Sequence, residues 1–222
     1  MDWKKEIVNN LYELSGKFPP DVIFDDWVKC MAIAIQNACV NEVDETFRAR
    51  ENQFKAVIEK YDFDINDCFG KMTMFLTRAM ENDMEDVLGI VYMEASMGNK
   101  NAGQFFTPQA ISKLKAKMIA SDVVKNYGKY NVYEPTCGSG GIIIEIAKEL
   151  LKKGRDYINC MDVVAQDLDW RCVYMTYVQL SLLGIDAVVA QGDTIEDQYK
   201  PDGKYPMQRL FFTPKKMGVL DR

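Results

Sequence analysis

Apolar residues recur at helical spacing through roughly the first hundred positions and then fall into alternating strand-like and helix-like runs. Trp3, Ile7, Leu11 and Leu14 share one helical face, Ile23, Trp27, Met31 and Ile35 a second, and Phe47, Phe54, Ile58 and Tyr61 a third. Pro19-Pro20-Asp21 breaks the first helix from the second, and Asn41-Glu42-Val43-Asp44 separates the second from the third. A fourth helix is predicted over about 66–80, and a fifth over about 83–96 with Val87, Leu88, Val91 and Tyr92 inward. These segments predict an all-α N-terminal domain over residues 1–98, a packing scaffold rather than a catalytic unit. Beyond it, strands are predicted over 131–135, 161–166, 187–191 and 208–212, with helices over about 108–124, 141–153 and 170–183. That alternation predicts an α/β domain over residues 99–222, a parallel sheet with helices on both faces.

Composition narrows the class. A chain of 222 residues that is 48% hydrophobic can bury one good core with a helical annex. No stretch approaches the roughly 20 apolar residues of a membrane span, and the first residues, Met1-Asp2-Trp3-Lys4-Lys5-Glu6, lack a signal-peptide core. A cytoplasmic protein with no membrane partner is expected. The six cysteines form no C-x-x-C pair and the chain has no histidine, so no metal site is expected and the thiols should be reduced and mostly buried. Without histidine there is no Ser-His-Asp triad, no Cys-His pair and no histidine base.

Charge is uneven. Residues 1–100 carry 11 Lys/Arg and 19 Asp/Glu, whereas residues 101–222 carry 16 and 14. A polyanion would therefore meet the C-terminal half, at Lys113, Lys115, Lys117, Lys148, Lys152, Lys153, Arg155, Lys215 and Lys216, although these spacings serve equally well as solvated faces.

The densest chemistry lies in Glu134-Pro135-Thr136-Cys137-Gly138-Ser139-Gly140-Gly141, between a strand-forming run and an apolar helical run. Glycines at a strand-to-helix turn admit a ligand close to the backbone, and the first amides of the helix favour a negative group. A plain tight turn uses the same glycines. The later strands each end in an acid, Gln166-Asp167-Leu168-Asp169 and Gly192-Asp193-Thr194. Ligands of open α/β sheets bind beyond the carboxyl ends of the strands, so Glu134, Asp167 and Asp193 should converge on one crevice. Ile143 stands where a dinucleotide fingerprint needs its third glycine, and no G-K-[ST] is present. An acid at the head of the loop suits a cationic group, and an acid after the next strand suits a ribose diol. A ligand with an ammonium or sulfonium, a ribose and a base meets these demands, and S-adenosylmethionine is one.

Gly103-Gln104-Phe105-Phe106-Thr107-Pro108, followed by the 134–141 loop, an acid after the second strand and a Gly-Asp pair after the third, resembles the N6-adenine DNA methyltransferases. The resemblance is to the modification subunits of type I restriction systems, and it covers about residues 85–195. It implies a class I methyltransferase (Rossmann-like) sheet, here truncated at its C-terminal side. The cofactor implied is S-adenosylmethionine. The partner implied is DNA, reached through a specificity or partner subunit in a hetero- or homo-oligomer.

By the resemblance, Gln104, Phe105, Phe106, Thr107, Pro108 and Gln109 line one side of the cofactor, with Thr107 the main polar contact. Thr107 and Pro108 also fit a plain helix entry, with Phe105 and Phe106 in the core. Glu134, where the family usually has aspartate, would reach the methionine ammonium beside Pro135, and Gly138, Ser139 and Gly140 would pass the methionine portion. Asp167 would take the ribose hydroxyls, Leu168 would pack on adenine, and Asp193 would bind the adenine amino edge or serve as a turn residue. Cys137 fits a small buried filler and Asp169 a helix cap.

Methyl transfer to adenine N6 requires a flipped base, acceptors for its amino group and an aromatic ring against it. The family supplies these through [NDS]-P-P-[FYW] after the fourth strand. These 222 residues contain no such run. Thr213 and Pro214 take its place by position, with Lys216 where the ring would stand, so no catalytic residue is assigned. Two readings follow. The chain is an S-adenosylmethionine-binding member of the family that methylates DNA with a partner or further sequence, or it is a catalytically inactive regulatory or partner module. Methylation of a small molecule or protein is a third reading, against which Gln104 to Pro108 argue.

Overall fold

The computed structural model describes residues 1–96, 109–123 and 129–219. The chain divides into two compact units, residues 1–83 with 87–106, and residues 84–86 with 107–222.

The first unit is helical: α1 (Trp3–Leu14), α2 (Pro20–Cys39), α3 (Glu45–Ile58), α4 (Ile65–Asn82) and α5 (Val87–Ser96). Aspartates stop the chain from fraying at three helix starts, Asp2 accepting the Lys5 amide, Asp44 the Phe47 amide and Asp64 the Asn66 amide. Pro20 opens α2, where its missing N–H costs nothing. Ile7, Leu11, Ile23, Trp27, Met72, Leu76, Val87, Leu88, Val91 and Tyr92 form the core. The third apolar stripe is weaker than expected. Phe47, Phe54 and Ile58 are only half-buried, and α3 buries Val57 and Arg50 instead.

The second unit holds α6 (Gln109–Val123), β1 (Tyr130–Glu134), α7 (Gly141–Lys152), the short α8 (Tyr157–Cys160), β2 (Met161–Asp167), α9 (Trp170–Leu182), β3 (Asp186–Gln191) and β4 (Leu210–Phe212). The open α/β sheet runs β1-β2-β3-β4. Strands β1, β2 and β3 are parallel, with Glu134 opposite Ala165 and Asp167 opposite Gln191. Helix α9 packs on β2 and β3. Its Tyr177 ring lies 4.9 Å from that of Phe211 on β4. Val188, Ala190 and Leu210 instead pack with Tyr205 from the connection between β3 and β4.

The expected all-parallel sheet is corrected at β4, which pairs antiparallel with β3, Val188 opposite Phe212 and Ala190 opposite Leu210. A parallel return needs a crossover of a dozen or more residues, usually through a helix. The stretch after β3 holds only a 3-10 turn, Met207–Arg209, so the chain comes back along the neighbouring edge.

Thr213 and Pro214 consequently stand at the amino ends of the parallel strands, opposite the predicted ligand crevice. The Thr213 hydroxyl donates to the Ile185 carbonyl at 2.7 Å and accepts the Ala187 amide at 3.0 Å. Lys216 bridges Asp162 and Asp186 at 2.8 and 3.1 Å, two acids at the starts of β2 and β3 that raise its pKa against the pull of burial. Thr213 and Lys216 thus clamp the base of the sheet. None of the six cysteines is disulfide-bonded, and Cys30, Cys39, Cys137 and Cys172 are buried. Among the described residues no helix is long and apolar enough to cross a membrane.

Thr213→Val keeps the shape of a fully buried side chain but strands its backbone partners. It should lower the unfolding free energy by about 1–3 kcal/mol, measurable as a lower urea midpoint with unchanged far-UV circular dichroism.

Candidate functional site

The parallel register brings the carboxyl ends of β1, β2 and β3 side by side, and short hydrogen bonds continue the stitching beyond the sheet. The Cys137 amide donates to the Gln166 carbonyl and the Gly192 amide to the Asp167 carbonyl, each at 2.9 Å. The Thr194 hydroxyl donates to the Pro135 carbonyl, tying the loop after β3 to the turn after β1. Glu134, Asp167 and Asp193 therefore follow three adjacent strand ends, as the sequence suggested.

Asp167 is the best-positioned of the three. Its Oδ2 accepts the Gly138 amide at 2.9 Å and its Oδ1 accepts the Asp169 amide at 3.0 Å. Each oxygen keeps a further lone pair for a ligand donor. Asp169 caps α9 by accepting the Arg171 amide. Leu168 between them is 65% exposed, an apolar side chain held out beside the crevice.

Gly138 and Gly140 adopt φ of 55° and 89°, a left-handed backbone that side-chain-bearing residues avoid. Gly140 opens α7 without a side-chain cap. Ser139 is buried, and its hydroxyl donates to Asp86 rather than facing the crevice. Burial pushes the Cys137 thiol well above its ordinary pKa against a smaller opposing influence of the neighbouring Thr176, so it is an inert filler.

Burial is also the main cause that raises the Glu134 carboxyl above its ordinary pKa. The Thr136 amide and Lys115 work against that rise, and the nearby Asp167 adds to it. An ionised Glu134 thus lacks solvation that a cationic ligand group would replace. Asp193 accepts the amides of Ile195 and Glu196 through Oδ1, at 2.9 and 3.4 Å, which is the turn role weighed for it in the sequence. Gln104, Phe105, Phe106, Thr107 and Pro108 lie outside the described residues, and Gln109 opens α6. Of the basic candidates, Lys152 is paired with Glu149 and Lys216 with Asp162 and Asp186.

Sequence reasoning passed over Gln166 and Gly192. Gln166 is fully buried; it donates to the Asp197 carbonyl at 2.8 Å and accepts the Tyr199 amide at 2.9 Å, which fastens the long connection after β3. A Cβ on Gly192 would lie 2.1 Å from the Tyr205 hydroxyl and 2.6 Å from Arg209 Nη2. A glutamine ending an otherwise apolar strand run was the available signal for the first, and the Gly192-Asp193 pair for the second.

The family described as N-6 DNA Methylase matches residues 83–210, more than half of the chain. The chain is similar to the type I restriction enzyme MjaIX methylase subunit of Methanocaldococcus jannaschii, 32% identical over 129 residues, which are 55% of this chain and 21% of that protein. It is similar to the type I restriction enzyme MpnII methylase subunit of Mycoplasma pneumoniae, 28% identical over 97 residues, 44% of this chain and 17% of that protein. The matched segment thus spans about a fifth of the length of these curated relatives. A solved type I restriction-modification methyltransferase subunit from Streptococcus thermophilus superposes with a TM-score of 0.46 at 13% identity, over 91% of this chain and 60% of that one.

Gly192→Ala should destabilise the protein by about 1–3 kcal/mol through overpacking, seen as a lower thermal midpoint than the parent. Glu134→Gln tests the buried acid. Because folding raises this carboxyl's pKa, the ionised form opposes folding above the folded-state value, and the opposition fades as pH falls towards the ordinary value of 4.5. The variant should therefore be more stable than the parent near neutral pH, with the difference vanishing under acid, in urea titrations across that range.

Proposed function

This chain belongs to the N-6 DNA methylase family, and on that premise we propose that it binds S-adenosylmethionine at the carboxyl ends of β1, β2 and β3 for methylation of adenine N6 in DNA. The observation that carries the reading is the Asp167 carboxylate, fixed by the Gly138 and Asp169 amides at the end of the second strand. A carboxylate so placed has lone pairs for the vicinal hydroxyls of a ribose. Glu134, partly desolvated at the head of the glycine loop, supplies a negative group for the ammonium of the methionine. The exposed Leu168 offers an apolar surface to the adenine, and Asp193 a carboxylate to its amino edge. Gln104 to Pro108 would close the remaining side. The acids at the three strand ends, Glu134, Asp167 and Asp193, suit a ligand carrying a sulfonium and an ammonium better than a pyrophosphate.

Chemistry on the target base needs more than this site. These 222 residues hold no [NDS]-P-P-[FYW] run, and Thr213 and Pro214 stand at the far end of the sheet. We therefore assign to this chain the binding and orientation of the methyl donor, and to a partner polypeptide or further sequence the holding of the flipped adenine and the recognition of the DNA. The absent motif equally favours a second reading, a cofactor-binding regulatory module without activity; tritiated methyl transfer from S-adenosylmethionine into unmethylated DNA by this chain alone would overturn it.

Asp167→Ala should weaken S-adenosylmethionine binding by about 1–3 kcal/mol, the cost of ligand hydroxyls losing a charged partner. Isothermal titration calorimetry measures it, and an unchanged affinity would place the ribose elsewhere.

A further inference from the structure

Beneath the glycine loop, one helix carries polar side chains where its neighbours are apolar. Cys172, Val173, Met175, Tyr177, Val178 and Leu180 of α9 are buried apolar positions, yet Thr176 and Gln179, one turn apart, are fully buried as well. The Thr176 hydroxyl donates to the Gly138 carbonyl at 2.9 Å. The Gln179 amide donates to the Ser139 carbonyl at 2.7 Å and to Asp86 Oδ1 at 2.9 Å. The other Asp86 oxygen accepts the Ser139 hydroxyl. Asp86 also lies against the start of α7, where a Cβ on Gly141 would come within 2.9 Å of its carboxylate.

Two consecutive carbonyls of the loop are thus held from below. In a trans peptide the N–H points opposite to the preceding C=O, so anchoring the Gly138 carbonyl towards α9 turns the Ser139 N–H away from it. Glycines at φ of 55° and 89° cannot fix this orientation themselves, because they have many alternatives of similar energy. The acid beside the first turn of α7 adds a negative charge close to the loop.

We propose that Thr176 and Gln179, together with Asp86, are positioning residues for the methionine end of the cofactor. They touch no ligand. They hold the glycine loop in the one shape whose backbone faces the donor and they set the charge around it. This inference rests on the S-adenosylmethionine reading of the site.

The test is calorimetric titration of the full chain with S-adenosylmethionine, for the parent, Thr176→Val, Thr176→Ser, Gln179→Leu and Asp167→Ala. It is run at a temperature where circular dichroism shows each protein folded. Thr176→Val should weaken binding by about tenfold, as expected for loss of one buried hydrogen bond, and Gln179→Leu, which loses two, by at least as much. Thr176→Ser, which keeps the hydroxyl, should restore most of the affinity. A purely structural role would lower the melting temperatures and leave the affinity of the folded proteins within twofold of the parent, and that result overturns the proposal. Should Gln179→Leu not fold, the Val and Ser pair at position 176 decides alone. A parent that gives no saturable heat removes the cofactor reading itself. Binding that is lost in Asp167→Ala but kept in Thr176→Val and Gln179→Leu removes only the positioning role.

Discussion

The hydrogen bond from the Gly138 amide to Asp167 joins the glycine loop to the end of the neighbouring strand, and the arrangement of the site depends on it. Parallel pairing alone aligns strand ends but leaves the segments beyond them free. Here the ladder continues past the sheet through Cys137 to Gln166, Gly138 to Asp167 and Gly192 to Asp167, so three loops are tied into one rim. A carboxylate that accepts two backbone amides is held in a fixed orientation without spending a lysine or arginine on it.

The sheet is secured at its other end by different chemistry. Lys216 neutralises Asp162 and Asp186 at the strand starts, and the Thr213 hydroxyl replaces the ladder partner that β3 would otherwise lack there. The same short run, Thr213 to Lys216, stands by sequence position where a base-binding motif is expected. Its placement follows from the direction of β4, and three residues, Leu210-Phe211-Phe212, carry no information about direction. The usable signal lay upstream. Residues 192–209 show no helical periodicity, and a strand reached without a crossover helix pairs antiparallel with its predecessor.

Elsewhere the sequence was informative in proportion to how local the physics is. The ends of α7, α9 and β2 were legible to within a residue, because caps, glycines and β-branched runs act over a few positions. The glycine loop and its acids were legible for the same reason. The face of α3 was misjudged, since the helix buries Arg50 and Val57 rather than the aromatic residues. Asp86 was invisible as part of the site because nothing near it in sequence marks it. Thr176 and Gln179 did leave a trace, as polar residues one turn apart in an otherwise apolar helix, and a buried polar pair of that kind must find partners.

Those partners are distant along the chain. Ser139 reaches Asp86 across 53 residues, and Gln179 reaches it across 93. Contacts of that separation form only after the intervening loop-closure entropy has been met, whereas the turn itself closes locally and early. The shape of the glycine loop is thus fixed by contacts whose loop-closure cost exceeds that of the turn itself.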